Sequence, residues 1–421
     1  MDTPTSLDSV DYERLDARLA LWDAKLPRRY PGDDGSRQPI HTVYVPADRY
    51  HAGLPAEWGA RAHELMTKYA PDAAALAEVV DIPVDLAEQV LPRLAGKLVT
   101  EPIEDLRIDF EDGYGPHPDA EEDAAAVAAA DALASAVATG DAPPYVGIRF
   151  KSMEAATRRR GIRTLDIFLT RLASSAGLPD GIVVTLPKVT DVSQVEAFVE
   201  VCAAWERANR QPAGRLRFEI QVETPQTIIA ADGTAAVARM LHAGAGRVRG
   251  LHYGTYDYSA ACGVSAAYQS MEHPVADHAK AVMQVSAATT GVRISDGSTN
   301  VLPVGDGPAV RTAWRLHARL VRRSLERAFY QGWDMHPGHL VTRFATTYAF
   351  YRQGFPAAAD RLRAYLGGAA SGVLDEPATA QAMASLLVRG LHSGALDDAE
   401  VADRSGADRA VLESLYRRRV G

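Results

Sequence analysis

The stretch LRIDFEDGYG at residues 106–115 decides the fold. Its apolar residues alternate with polar ones, and three carboxylates and a glycine turn follow, which is typical of a short β-strand and its loop. Carboxylates this close together are costly unless a cation or strong donors lie among them. A strand that carries them to its carboxyl end predicts a functional edge of a parallel sheet.

Seven further strand-like runs flank this stretch and alternate with helical patterns. With the opening stretch included, the predicted strands lie at residues 41–46, 106–115, 145–150, 181–188, 216–225, 248–257, 300–307 and 333–338. Strands that alternate with helices predict a parallel sheet, and eight such units predict an α/β fold closed into a (β/α)₈ TIM barrel.

The barrel is predicted to occupy residues 39–340, between two segments of different character. Residues 1–38 are polar and rich in Asp, Arg and Pro, which predicts an N-terminal extension. Residues 341–421 contain only helical patterns, with separate helices expected at 340–352 and 356–366. This tail is predicted to be a helical cap that acts as a lid or an oligomerisation segment.

The composition excludes several classes of protein. Lys and Arg number 45 and Asp and Glu number 54, which gives a net charge of −9 and argues against a nucleic-acid partner. The sequence shows neither a signal-peptide pattern nor an apolar run long enough for a membrane span, so no membrane partner is expected. Cys202 and Cys262 form neither a disulfide framework nor a metal-binding spacing. These features predict a reduced, cytoplasmic protein.

Ionisable side chains close nearly every predicted strand. Catalytic side chains of a (β/α)₈ barrel come from the carboxyl ends of several strands, so these residues are expected to converge at one mouth. The predicted strand ends are Pro46, Glu111 with Asp112, Arg149, Lys188, Glu223, Asp257, Asp306 and His336.

Glu223 and Asp257 are the best candidate metal ligands. They end neighbouring strands, which lie about 4.8 Å apart, so both carboxylates can reach one ion. Two carboxylates without an imidazole or thiolate suit a hard divalent cation, Mg²⁺ or Mn²⁺.

Other candidates have structural alternatives. Asp109 or Glu111 could pair with an arginine. Lys188 could be a Schiff-base nucleophile, although an ion pair is the more common role for a lysine among carboxylates. His336 could anchor its turn through a hydrogen bond instead of acting in catalysis. The general base is left open among Asp112, His336 and a metal-bound water.

The chain resembles a known family at this point. Its motifs match, in order and spacing, those of citrate lyase beta-subunit-like proteins, which belong with the HpcH/HpaI aldolases and malate synthases in the phosphoenolpyruvate/pyruvate TIM-barrel superfamily. The motifs are VYVP at 43–46, DFED at 109–112, GIR at 147–149, LPK at 186–188, VET at 222–224, GTYD at 254–257 and MHPG at 335–338.

The resemblance implies roles for the strand-end residues. Glu223 and Asp257 would ligate Mg²⁺, and Arg149 would bind the substrate carboxylate or the enolate oxygen. Glu111 and Asp112 would hold the arginine and metal-bound water. Lys188 would contact these residues and not the substrate or the metal itself. Proteins of this superfamily usually form trimers or hexamers, so the resemblance also implies a homo-oligomer.

These observations predict a Mg-dependent carbon–carbon lyase or aldolase. Its substrate would be a small carboxylate, either a 2-oxo acid or a carboxylate-bearing hydroxyacyl thioester, and the reaction would pass through an enolate. Coenzyme A use is left open, because no motif for the C-terminal catalytic aspartate of malate synthases is found. The alternatives are a phosphoenolpyruvate- or oxaloacetate-type conversion at the same metal, a Lys188 Schiff base without metal, and a non-catalytic metabolite-binding barrel.

Overall fold

Eight parallel strands form the centre of the protein. The structure is a computed structural model that describes residues 6–367 and 377–417. The strands are β1 (His41–Pro46), β2 (Asp105–Asp109), β3 (Tyr145–Arg149), β4 (Val183–Leu186), β5 (Arg217–Val222), β6 (Val248–Tyr253), β7 (Arg293–Ser295) and β8 (Gly332–Asp334).

The strands close into a barrel. They pair in the order β7-β6-β5-β4-β3-β2-β1-β8, and every pairing is parallel. A parallel bridge between Ser295 and Gln331 then brings β7 to β8, and the Asp296 N–H donates to the Gln331 carbonyl at 2.9 Å. The predicted (β/α)₈ TIM barrel is therefore confirmed.

Helices surround the barrel and extend beyond it. In chain order they are α1 (Ser9–Asp23), α2 (Leu26–Arg29), α3 (Leu54–Tyr69), α4 (Ala73–Val80), α5 (Val84–Thr100), α6 (Asp119–Thr139), α7 (Arg158–Ser175), α8 (Val192–Ala208), α9 (Pro225–Ile228), α10 (Ala236–Ala243), α11 (Thr255–Ala261), α12 (Pro274–Ala287), α13 (Gly307–Glu326), α14 (Pro337–Leu366), α15 (Pro377–Ser393), α16 (Asp398–Ser405) and α17 (Arg409–Tyr416). Among the described residues, no helix has the length and apolar character needed to cross a membrane.

Charged side chains fill the interior of the barrel. Side chains alternate between the two faces of a strand, so every second residue of β2 and β5 faces inward. The fully buried Arg107 donates from Nη2 to Glu219 Oε2 at 2.7 Å and also pairs with Asp105. Because the opposing charges lie among further hydrogen-bond donors, this layer is compensated and forms a floor beneath the mouth.

The predicted seventh strand was placed wrongly. The observed β7 is Arg293–Ser295, whereas residues 300–306 form a loop in which Val301 and Val304 are 43% and 55% exposed. Asp306 consequently does not end a strand. It is the N-cap of α13, where its side chain accepts the Ala309 N–H at 2.9 Å.

The tail forms a second, smaller hydrophobic core around the C-terminal half of α14. The predicted break before Pro356 was wrong, because α14 runs unbroken from Pro337 to Leu366 and buries Phe355, Ala359 and Leu362 against later helices. Arg389 of α15 donates to Gln38 at 2.9 Å, on the chain that leads into β1. The lid or oligomerisation role of this segment stays a prediction, and residues 1–5, 368–376 and 418–421 of the two predicted end segments lie outside the described residues.

Candidate active site

A cavity of about 420 Å³ opens at the carboxyl ends of the strands. Five of the predicted strand-end residues line it, four of them ionisable, together with neighbours on the same inward faces. The lining side chains include Tyr44, Asp109, Asp112, Arg149, Gln221, Glu223, Asp257, Trp333 and Asp334. The carboxyl edge of the barrel is therefore where the ionisable groups converge.

Arg149 at the end of β3 is fixed by Asp109 at the end of β2. Its Nε and Nη2 donate to the two Asp109 carboxylate oxygens at 2.7 and 2.6 Å. The guanidinium also lies over the rings of Tyr44 and Trp333, at 5.0 and 5.7 Å from their centroids. This planar fork locks the orientation of the arginine.

Asp109 is a structural anchor. Besides Arg149, it accepts the backbone N–H groups of Glu111 and Gly113 at 3.0 and 2.9 Å. The prediction that Asp109 or Glu111 pairs with an arginine is confirmed for Asp109. The remaining nitrogen of Arg149, Nη1, donates to Gln221 Oε1 at 3.3 Å and lies 3.5 Å from Glu111 Oε2.

Lys188 joins two loops of the mouth. Its Nζ bonds Glu111 and both oxygens of Asp112, the latter at 2.7 Å, and it lies 3.7 Å from Asp257 Oδ2. Its backbone has a positive φ of 48°. That left-handed conformation is unfavourable for a lysine, and here it lets the Lys188 N–H donate to Glu223 Oε1 at 2.7 Å.

The carboxylates of this cluster differ in environment. Burial raises the pKa of Glu111. Burial would also raise the pKa of Asp112, but the hydrogen bonds from Lys188 outweigh it and leave that pKa lowered. Asp112 is the most exposed carboxylate of the opening stretch, at 55% against 8% for Glu111 and 2% for Asp109. It is therefore the carboxylate of that stretch that a ligand in the cavity can reach.

Glu223 follows the end of β5 and is almost wholly buried. Its Oε2 accepts the Gln221 amide at 2.7 Å. Burial raises the pKa of Glu223 well above the ordinary value. Arg149 acts to lower that pKa, whereas the negative charges of Asp257 and Glu111 raise it further. A buried carboxyl of this kind is ionised only when a cation compensates it.

Asp257 faces the same cavity from a helix. It was predicted at the end of a strand, but β6 ends at Tyr253 and Asp257 lies in the first turn of α11. Gly254 makes this possible, because a Cβ there would lie 2.5 Å from the Glu223 Cβ and 3.1 Å from Oε2. The glycine lets the start of α11 pass directly over Glu223.

His336 caps α14. Its Nδ1 accepts the Gly338 N–H at 3.0 Å, which is the turn-anchoring alternative raised by the sequence. Burial, with a contribution from Arg61, lowers the pKa of its ring. The nitrogen that accepts this hydrogen bond is not available as a base.

A second cluster lies beside the mouth. The ligand atoms of His317, Asp334 and His339 lie within 4.8 Å of one another, and all three residues are buried. The Asp334 charge is already compensated by a cation, because Oδ1 accepts Arg343 Nη2 at 2.9 Å, and Oδ2 also pairs with His41 Nδ1 at 2.8 Å. The cluster is a poor fit for a metal and instead ties β8 to α13, α14 and β1.

Sequence reasoning missed Tyr44, Gln221, Trp333 and Asp334 as residues of this mouth. A signal existed for Gln221, because it precedes Glu223 by two residues and so shares its face of the strand. Tyr44 likewise precedes Pro46 by two. No such signal marks Trp333 and Asp334, since the boundaries of an isolated three-residue strand are weakly encoded.

Fold and site together define an α/β-barrel protein with a carboxylate-rich mouth built around an arginine and a lysine. The chain belongs to the family described as Domain of unknown function (DUF6986), which matches residues 19–420. No curated protein matches the sequence.

The chain is similar to several solved structures. A citrate lyase from Burkholderia xenovorans is 19% identical and superposes with a TM-score of 0.56 over 87% of this chain and 96% of that one. A malate synthase of Haloferax volcanii in a lead(II) complex is 15% identical, with a TM-score of 0.48 over 90% and 97%. An HpcH/HpaI aldolase/citrate lyase family protein from Burkholderia cenocepacia is 15% identical, with a TM-score of 0.41 over 79% and 98%.

The first of these likenesses confirms the predicted resemblance at the level of the fold. At such identities the likeness concerns the fold alone, and residue roles rest on the geometry of the site.

Proposed function

We propose that the chain is a metal-dependent carbon–carbon lyase or aldolase that acts on a small carboxylate through an enolate. One observation carries the proposal. Glu223 and Asp257 face a single cavity that Arg149 also lines, and Asp109 fixes the orientation of that arginine. The likeness to citrate lyase and aldolase folds agrees with this chemistry.

The carboxylate pair fits a hard divalent cation. Glu223 and Asp257 offer oxygen ligands only, as Mg²⁺ or Mn²⁺ requires, and the approach that Gly254 permits brings their two segments together. Burial raises the pKa of Glu223 despite the opposing effect of Arg149, which supports a site in which a further cation would stabilise the ionised carboxylate. A bound cation would supply Lewis-acid polarisation of a substrate carbonyl.

Arg149 would bind the substrate carboxylate or the oxygen on which charge develops. Asp109 holds two of its nitrogens, and Nη1 would exchange its 3.3 Å contact with Gln221 for the substrate oxygen. Preorganised donors of this kind typically contribute about 10²–10³ in rate. The rings of Tyr44 and Trp333 cover the guanidinium and limit its access to water.

The proton acceptor is assigned to the Glu111–Asp112 pair. Asp112 reaches the cavity, and both carboxylates share the Lys188 ammonium. If one of the two carboxylates accepts a proton, the other therefore stays paired with the Lys188 ammonium. The capping hydrogen bond of His336 argues against this role for the imidazole.

A Lys188 Schiff base is disfavoured by the same contacts. Burial alone would lower the pKa of the Lys188 ammonium, but its bonds with Asp112 and Glu111 hold that pKa above the ordinary lysine value. A nucleophilic amine requires the opposite shift. Borohydride treatment in the presence of substrate and EDTA should therefore leave no trapped adduct, and a trapped adduct would restore the Schiff-base mechanism.

Turnover assays separate the remaining alternatives. The protein with Mg²⁺ should be incubated with 2-oxo acids and with carboxylate-bearing hydroxyacyl thioesters, and the products identified by mass spectrometry. We expect cleavage that is lost in EDTA and in Glu223→Gln and Asp257→Asn. Asp306→Asn is the matched control, because this carboxylate caps a helix and does not line the cavity, and asparagine can also cap a helix.

Other outcomes identify the alternatives. Conversion of phosphoenolpyruvate or oxaloacetate without carbon–carbon cleavage of the other acids would indicate the related reaction at the same metal. Cleavage that persists in EDTA contradicts metal dependence. Tight ligand binding without turnover across the panel would indicate a metabolite-binding barrel. Cleavage of thioesters but not of free acids would indicate the use of coenzyme A. The cytoplasmic location and the homo-oligomeric state of the protein stay predictions.

A further inference from the structure

A second cavity lies at the opposite end of the barrel. It has a volume of about 770 Å³ and lies where β5 and β6 begin. Its lining includes the cationic or basic residues Arg28, Arg29, Arg217, His242, Arg249 and Arg417. We call this the basal pocket. The six residues of β5 separate it from the catalytic mouth by roughly 17–20 Å.

The basal pocket concentrates positive charge in a protein whose net charge is −9. Five arginines and two aspartates line it. Asp34 lies 3.6 Å from Arg249, whereas Asp33 pairs with Arg389 at 3.4 Å, outside the lining. The two acids therefore leave most of the arginines uncompensated.

Three of those arginines have no carboxylate partner in the described part of the chain. Arg28 and Arg29 are exposed on α2 and make no side-chain hydrogen bond or ion pair there. Arg217 donates its Nε and Nη1 to the carbonyls of Gly214 and Gly246, both at 3.0 Å. Its Nη2 is left without an acceptor among these residues.

The like charges act on one another. Arg217 is partly buried, and burial lowers its pKa, with further lowering from Arg249 and Arg247 that outweighs the opposite effect of Asp34 and Glu206. Guanidinium groups that repel one another in a shared concavity carry a cost, which an anion removes. Two carbonyl contacts hold Arg217 in place despite this repulsion.

We infer that the basal pocket binds a small anion carrying two or more phosphate groups. Guanidinium groups match phosphate oxygens in geometry and charge, and three uncompensated arginines exceed what a monophosphate can neutralise. The volume lies in the range of small-molecule sites. The inference does not depend on the proposed function, because no residue of the mouth takes part.

Binding should also order the N-terminal arm. Arg28 and Arg29 lie directly after α1, which buries none of its side chains. A phosphate held between α2 and Arg217 would join this arm to the start of β5. The ligand is thus expected to protect residues 9–29 from proteolysis.

Calorimetric titration of the full chain with pyrophosphate tests the inference. EDTA should be present so that no metal–pyrophosphate complex binds at the mouth, and sulfate at matched ionic strength provides the screening control. We expect saturable binding by the wild type and weaker binding of inorganic phosphate. Arg28→Ala/Arg29→Ala and, separately, Arg217→Gln should each weaken binding at least about tenfold.

The matched control is Arg158→Ala/Arg159→Ala. These adjacent arginines are also exposed, lie at the start of α7 and have no side-chain partner among the described residues, so the charge change is the same. Their replacement should leave the affinity unchanged. Circular dichroism would verify that each variant is folded.

Several results would overturn the inference. One is the absence of saturable pyrophosphate binding at millimolar concentration. Another is equal binding of sulfate, which would indicate charge screening. Equal weakening by the α2 and α7 double variants would indicate a non-specific effect of net charge, and competition with a carboxylate substrate would place the anion at the mouth.

Discussion

Replacing Asp109 by asparagine tests whether the mouth depends on the carboxylate that holds Arg149. The substitution keeps the shape of the side chain and removes its charge. Asp109 receives four hydrogen bonds, two from Arg149 at 2.7 and 2.6 Å and two from backbone N–H groups. An asparagine offers one acceptor oxygen, so its amide nitrogen would face donors, and the buried guanidinium would lose its counter-charge.

The expected loss of stability is large. Both partners are at least 94% buried, with side-chain exposures of 2% for Asp109 and 6% for Arg149. Removing one partner of such a pair typically costs about 3–5 kcal/mol. Urea unfolding followed by circular dichroism should therefore show a clearly lower midpoint for Asp109→Asn.

Asp131→Asn is the matched control for this prediction. Asp131 also accepts two bonds from one arginine, Arg171, at 2.6 and 3.1 Å, but both side chains lie at the surface. Solvent screens such a pair, so its loss should leave the midpoint unchanged within error. The reasoning is refuted if the two substitutions shift the midpoint equally, because burial would then not decide the cost.

Three further predictions concern single residues. Gly254→Ala should clash with Glu223 and weaken metal binding in calorimetry. The control, Gly96→Ala, meets open space within α5 and should raise the midpoint of urea unfolding. Unchanged metal binding by Gly254→Ala would contradict the close approach of Gly254 to Glu223. The pKa of Asp334 lies well below its usual range because the effect of its charged neighbours outweighs that of burial. The destabilisation caused by Asp334→Asn, measured by urea unfolding, should therefore persist down to about pH 4 and become smaller below it. A destabilisation that grows as the pH falls would contradict this prediction. His336→Asn should retain both cap and turnover in the cleavage assay, whereas loss of turnover in a folded variant would restore a catalytic role for the imidazole.

The sequence predicted the parts of the fold that local pattern encodes. β1 was predicted with its observed bounds, β3 to β6 lie within the predicted runs, and β2 begins one residue before its run, at Asp105. These strands were recognisable because β-branched runs between helices are typical of buried parallel strands. β7 was missed because three residues containing an arginine carry little pattern, while the exposed valines of the following loop imitate a strand. Pro356 did not end α14, because buried contacts on both sides of it stabilise the continuous helix.

The site was predicted as a set of residues, but their contacts were not. Strand ends located Arg149, Lys188 and Glu223, since alternation fixes which side chains face inward. Which carboxylate pairs with which cation depends on loop geometry, such as the positive φ of Lys188, that no local pattern specifies. Asp257 was expected on a strand and lies on α11, and its approach to Glu223 became evident only in three dimensions.

Metal binding tests the central claim most directly. The full chain, freed of metal with EDTA and dialysed, should be titrated with Mn²⁺ while the electron paramagnetic resonance signal of the free ion is recorded. The account predicts one saturable site in the wild type and in Asp306→Asn, and loss of that site in Glu223→Gln and in Asp257→Asn while both remain folded. Undiminished Mn²⁺ binding by both of the latter variants would contradict it.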